Sequence, residues 1–177
     1  MKQSILLKLV TFSAIFAIEI SISVNAQTPA SNIPSKQQNV TASNTQNNTF
    51  SLEEAVFDRI NEYRQGRNLP SLIWDNRISA SARTHSRNMA SGNVQFGHNG
   101  FAQRVQVIGQ VIPYQVAAEN VAYNQGYFDP ATNVVKGWLN SIGHKKNIVG
   151  KYNLTGVGVA KNARGEYYFT QIFILEQ

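Results

Sequence analysis

Apolar positions along this chain fall into two kinds of pattern, one with the period of a helix and one with the period of a strand. Leu52, Val56, Ile60 and Tyr63 lie three or four residues apart behind Ser51-Leu-Glu-Glu54. That tetrapeptide is a capping box and predicts a helix opening at Ser51 and ended by Gly66 and Pro70. Ile78, Ala82, His85 and Met89 share the face of a second helix, with Asp75 as N-cap and Gly92 as stop. Phe96-Gly-His-Asn-Gly100 reads as a loop and Phe101 to Ile108 as a short third helix. Ala117 to Tyr123 reads as an extended segment crossing the core. Asp129-Pro130 supplies an N-cap with proline at the first helical position, ahead of Val134, Val135 and Trp138. Val157 to Ala160 and Tyr167 to Ile174 flank Asn162-Ala-Arg-Gly165, which predicts a hairpin. Helices followed by an antiparallel pair indicate an α+β domain.

The first 49 residues follow neither pattern. Lys2 and Lys8 lead into an apolar run ending near Ile18, and Val24-Asn-Ala26 resembles a small-residue cleavage site. Residues 1–26 therefore read as a secretory signal peptide. An uncleaved anchor needs about 20 apolar residues, and Lys8 and Glu19 interrupt that length. Of the 23 residues from 27 to 49, 16 are Ser, Thr, Asn or Gln, too polar to bury much surface. This segment reads as a disordered polar linker. The working domain is then 50–177, exported and without a transmembrane anchor after cleavage. Asn39, Asn47 and Asn153 open glycosylation acceptor triplets, which carry meaning only in a eukaryotic secretory route.

Composition narrows the chemistry. The chain has 177 residues, no cysteine and a formal net charge of +6. Without cysteine there are no disulfides, thiolate zinc sites, iron–sulfur clusters or thiol nucleophiles. Any metal must be held by His, Asp or Glu. The positive balance suits anionic partners, but no aromatic-basic pattern for nucleic acid and no glycine-rich phosphate loop is present.

His85, in phase with the apolar face of its helix, reads as a core histidine bonded to backbone. His98 sits in a glycine-flanked loop, where a side chain can face a cleft. His144 follows the Trp138 helix, with Lys145, Lys146 and Lys151 beside it as a solvated surface or an anion-attracting rim. Glu119 lies among apolar neighbours, and a carboxylate so placed requires a cation, a metal or several donors. His98, His144 and Glu119 have the composition of an open zinc site with a water in the fourth position. They are more than 20 residues apart, however, and spacing alone does not bring them together. Ser141 with His144 and Glu119 has the composition of a hydrolase triad, but no nucleophile elbow accompanies it.

Taken in order, the motifs resemble the CAP superfamily of cysteine-rich secretory, antigen 5 and pathogenesis-related proteins, or SCP-like domains. The matching pieces are Phe57 to Arg64, Leu69 to Trp74, His85 to Met89, Phe96-Gly-His98, Ala118-Glu-Asn-Val-Ala122, Trp138 to Ile148, Gly156 to Ala160 and Tyr168 to Phe173. The resemblance implies a three-layer α-β-α sandwich with a central antiparallel sheet and a cleft. In the family, two histidines and two glutamates in that cleft can hold a divalent cation such as zinc. His98, Glu119 and His144 match three of them, and Ser141 stands where the second glutamate would be, as in bacterial-type members.

Family activities include lipid or sterol binding, antimicrobial action, ion-channel modulation and proteolysis, and fold does not select among them. Three readings follow. The first is a secreted or periplasmic monomer, not an enzyme, that binds a cell-envelope polymer through the cleft. The second is a metal-dependent or serine-type hydrolase. The third is a lipid binder using Val105, Val107, Ile108, Val111 and Ile112.

Overall fold

The computed structural model describes residues 35–177, with side chains from residue 48 onward. The expected signal peptide and residues 27–34 of the expected linker lie outside the described residues.

The first helix, α1, runs over Ser35–Gln65. It starts sixteen residues ahead of Ser51, so the expected capping box stands inside a helix, and the backbone of 35–49, expected as a flexible linker, is helical. Residues 35–50 contain no Gly or Pro, and extending a formed helix costs less than nucleating a new one. There follow β1 (Ile73–Trp74), α2 (Asn76–Ser91), α3 (Phe101–Gly109) and β2 (Tyr114–Asn124). The chain then continues through α4 (Pro130–Asn140), α5 (Ile142–Ile148), β3 (Leu154–Lys161) and β4 (Tyr167–Glu176). Both predicted N-caps form. Asp75 accepts from the amides of Arg77 and Ile78, and Asp129 from that of Thr132.

The strands are ordered β1-β3-β4-β2 in one sheet. The three long strands are antiparallel as expected, while the two-residue β1 adds a parallel pair at one edge. The turn between β3 and β4 is held by Asn162, whose side-chain oxygen accepts from the amides of Arg164 and Glu166. Gly165 takes a positive φ of 84° there.

Strand alternation divides the interior into two layers. Val157, Val159, Phe169, Phe173 and Ala118 face α1 and α4, where they pack with Val56, Ile60, Val134, Val135 and Trp138. Ile172, Ile174 and Leu154 face the other way, against Ile78 and Ala82 of α2 and Ile108 of α3. The α-β-α sandwich is the result. Gly156 and Gly158 are the α2-facing positions of β3, and a Cβ on either would collide with the α2 backbone at Ser79 or at Ala82 and Arg83. The alternation of Gly and Val in 156–159 thus lets α2 lie directly on the strand while the valines fill the opposite layer.

Polar side chains complete the frame. The amide of Asn61 pairs with both backbone groups of Leu72. Arg64 is 1% exposed, and its guanidinium donates to the carbonyls of Pro70, Ile148, Gly150 and Tyr152. Burial pulls its pKa down, and the four carbonyls take the place of a counter-ion.

Candidate functional site

The site is built on β2, where alternation sends successive side chains to opposite layers. Asn120 faces α5, and Glu119 faces α2 and α3. The Glu119 side chain is 1% exposed, and its two oxygens are fully engaged. Arg104 of α3 donates from Nε to Oε2 at 3.0 Å and from Nη2 to Oε1 and Oε2, each at 2.8 Å. His98 donates from Nδ1 to Oε1 at 3.0 Å. Buried carboxylates are stable where they gain this kind of paired, charge-assisted hydrogen bonding.

The loop carrying His98 is fixed from two sides. His85, 2% exposed, donates from Nε2 to the Gly97 carbonyl at 2.8 Å. It is the backbone-bonded core histidine that the sequence suggests, and its partner is the residue next to His98. Arg104 also donates from Nη1 to the Asn99 carbonyl at 2.8 Å, so one side chain holds both the loop and the acid.

His144 arrives from the other side, on α5. Asn120 donates to the His144 carbonyl at 3.2 Å, and Asn147 donates to the Asn120 side-chain oxygen at 2.9 Å and to the Glu119 carbonyl at 3.2 Å. These amides fasten α5 to β2. The His144 ring lies 6.5 Å between centroids from His98 and the same distance from Trp138. The Trp138 indole donates to the Val121 carbonyl at 3.1 Å. Burial, with the charge of His98 adding to it, holds His144 below its ordinary pKa and favours the neutral ring.

The other candidates are placed less centrally. Ser141 joins α4 to α5 and makes no capping hydrogen bond with its side chain. Among the described residues its hydroxyl bonds neither to His144 nor to Glu119. Lys145 is half-buried and Lys146 and Lys151 are exposed. None of the three forms an ion pair among the described residues. The five apolar residues read as a lipid surface separate. Val105, Ile108 and Ile112 are buried, while Val107 and Val111 are exposed along a groove of about 590 Å³ between α2 and α3.

A family model described as the cysteine-rich secretory protein family, CAP, matches residues 57–173. The chain belongs to the CAP family. Two curated relatives come from Bacillus subtilis. The uncharacterized membrane protein YlbC is 37% identical over 128 residues, covering 69% of this chain and 34% of its own length. The uncharacterized protein YkwD is 32% identical over 152 residues, covering 84% of this chain and 57% of its own. The chain thus spans between a third and three-fifths of these relatives. An extracellular SCP-domain protein from Bacillus anthracis superposes with a TM-score of 0.64 at 27% identity, over 82% of this chain and 45% of that one. An outer surface protein of Borrelia burgdorferi shares the fold, with a TM-score of 0.62 at 21% identity over 73% of this chain and 96% of that one. Among the described residues no helix is long and apolar enough to cross a membrane.

The CAP resemblance carries a cation site with it, and its residues can be tested here. His98 contacts Glu119 at 3.0 Å and its ring lies 6.5 Å from that of His144, despite their separation in sequence. As folded, however, they do not fit a divalent ion. Both Glu119 oxygens are held by a guanidinium, Ser141 offers no carboxylate, and no three His, Asp or Glu among the described residues form a metal-holding group. A divalent ion would have to share the carboxylate with a fixed positive charge.

Arg104, Asn120 and Asn147 belong to the site without having been singled out in the sequence. Burial of Glu119 was the available signal, since it demanded a partner. Arg104 sits four residues before the buried Ile108 on the same short helix, so helical spacing places it on the inward face, and that is a second signal the sequence offers.

Proposed function

We propose that this CAP domain is an exported, non-catalytic module whose cleft binds an anionic polymer of the cell envelope. The observation that carries the reading is the closure of Glu119 by Arg104 and His98. The buried acid is spent on internal pairs, His98 is half exposed, and Lys145 and Lys146 follow His144 on α5. Such a rim attracts phosphate or carboxylate groups on a chain. The export signal read from residues 1–26 supports an envelope setting. So does the extracellular setting of the Bacillus anthracis SCP-domain protein. A hydrolytic reading has less support, because among the described residues Ser141 has no base in hydrogen-bond contact and the carboxylate that would orient one is engaged elsewhere.

The test is binding of a fluorescent poly(glycerol phosphate) to the mature protein. Lys145→Glu with Lys146→Glu should weaken binding by about tenfold or more, equivalent to about 1.4 kcal/mol. Raising salt from about 0.05 to 0.5 M should weaken the wild type further by screening. Affinity that ignores both changes would overturn the reading.

A further inference from the structure

The disagreement between the cleft and a divalent-cation site has a specific cause. We infer that Arg104 is a resident cation: its guanidinium occupies the carboxylate that a metal would need, and it makes this cleft metal-free by construction. The inference goes beyond the polymer-binding reading and holds whatever ligand the cleft takes.

Three observations carry it. First, Arg104 is positioned rather than draped. Its side chain is 14% exposed against 1% for Glu119, and three donor–acceptor contacts of 3.0 Å or less join the two. A planar guanidinium on a carboxylate in this two-pronged geometry is the strong form of the pair. Second, the remaining Arg104 nitrogen is tied to the Asn99 carbonyl, so swinging the side chain away would also strip the loop that carries His98. Third, the imidazoles are not committed to one another. His98 turns Nδ1 to Glu119, and the His144 ring stands 6.5 Å from it between centroids. His98 touches Glu119 and neighbours His144, and Arg104 holds both oxygens of the carboxylate that any cation there would need.

The same arrangement gives the cleft a charge that does not depend on metal supply. An ion held by two histidines is lost when the imidazoles protonate or when a chelator competes. Arginine stays charged across the accessible pH range. An exported domain that meets variable metal concentrations would keep the same cleft throughout.

The decisive experiment measures zinc directly on the full mature chain, by calorimetric titration and by elemental analysis after dialysis. Wild type should retain no stoichiometric zinc. Arg104→Met, which keeps the length of the stem and removes the charge, should gain at least about a hundredfold in zinc affinity and retain close to one equivalent. Arg104→Met with His98→Ala should lose that equivalent again. Arg104→Lys, which keeps a positive charge, should gain none. One equivalent of zinc on wild type, lost in a His98→Ala that keeps the wild-type circular dichroism, overturns the inference. A folded Arg104→Met that takes up no more zinc than wild type overturns it as well.

Discussion

Glu53 of α1 and Arg83 of α2 clasp the sheet from opposite layers around the open edge of β3. Arg83 donates from Nε to both Glu53 oxygens, at 2.9 and 2.8 Å, and from Nη2 to Oε2 at 2.6 Å. The edge exists because β1 pairs with β3 only at Leu154 and Thr155. Past that point the Val159 amide would be unpaired, and it donates instead to Glu53 Oε1 at 3.0 Å. Glu53 is therefore a substitute for the missing strand as well as an ion-pair partner. Burial raises its pKa, with the Arg83 and Val159 hydrogen bonds working against the rise.

This arrangement makes Glu53 costly to remove. Glu53→Ala deletes the acceptor of a buried amide together with a charge-assisted pair, and the two losses should sum to about 3 kcal/mol. Arg83→Ala should cost as much or more, about 3–5 kcal/mol, because it leaves the Glu53 carboxylate at 1% exposure with only the Val159 amide to support its charge. Urea denaturation of both variants checks the order. A clearly smaller loss in Arg83→Ala would mean that water reaches the Glu53 carboxylate once the guanidinium is gone.

Arg104 and Glu119 form the second buried pair, and here the balance of terms differs. Arg104→Met leaves a carboxylate at 1% exposure with only His98 for support, and breaking such a pair typically costs about 3–5 kcal/mol. The double change Arg104→Met with Glu119→Met removes both charges and should recover most of that loss. Chemical denaturation of wild type, single and double variants measures the coupling directly. A double variant as unstable as the single would place the cost in packing rather than in the unpaired charge.

The contrast between these pairs and the apolar core explains what could be read from the sequence. The helix faces carrying Ile60, Ile78 and Trp138 were legible because an apolar stripe at helical spacing has few other meanings. Asp75 and Asp129 were legible as caps because their chemistry is local. The hairpin at Asn162 followed from turn residues between two apolar runs. By contrast, β1 is two residues long and α5 seven, too short for either period to register. In α5 the buried residue is Ile148, while Ile142 is 91% exposed, so there is no stripe to find. The start of α1 was misplaced because Ser51 and Glu54 satisfy a local capping rule that the preceding polar residues, free of Gly and Pro, override. Glu53, Arg64, Arg83 and Arg104 escaped for a common reason. A charged residue on a helix shows its partner only once the fold brings the two together, and although Arg64 and Arg104 each have one partner within six residues, the others lie 15 to 106 residues away.

Two glycines with the same side chain and opposite surroundings provide a test of the packing account. Gly158 has the α2 backbone where its Cβ would be, at Ala82 and Arg83. Gly158→Ala should force α2 off the strand and cost about 1–3 kcal/mol as an overpacking change. Gly137 is exposed within α4 and has nothing within 4 Å of a Cβ. Gly137→Ala should stabilise by about 0.5–1 kcal/mol through the lower chain entropy of alanine. Thermal melts of the two variants should move in opposite directions. A neutral Gly158→Ala would show that α2 and β3 have slack between them.

Acid should loosen the loop that holds His98, through His85. Burial pushes His85 below its ordinary value of 6.5, with the Gly97 carbonyl pulling the other way and the Arg104 charge adding to the fall. In the folded protein the neutral ring persists as pH drops, whereas the unfolded chain binds a proton near 6.5. The unfolded state then carries more protons, so stability falls with pH from about 6.5 down to the folded pKa and levels off below it. The slope contributed by this one residue is at most about 1.4 kcal/mol per pH unit. Glu53, raised by burial, acts in the opposite sense. Its folded form binds the proton first, which returns some stability as pH falls through its folded pKa toward 4.5. The two are separated with His85→Gln, which keeps a donor able to reach the Gly97 carbonyl but cannot take up a proton. Its stability at pH 7 should be lower by the packing change, and its decline between pH 6.5 and 5.5 should be shallower than that of wild type. Hydrogen exchange at residues 96–100 supplies the local readout: protection there should drop with acid in wild type and stay level in the variant. Parallel declines in the two proteins would remove His85 as the acid-sensitive group and leave His144 as the next candidate.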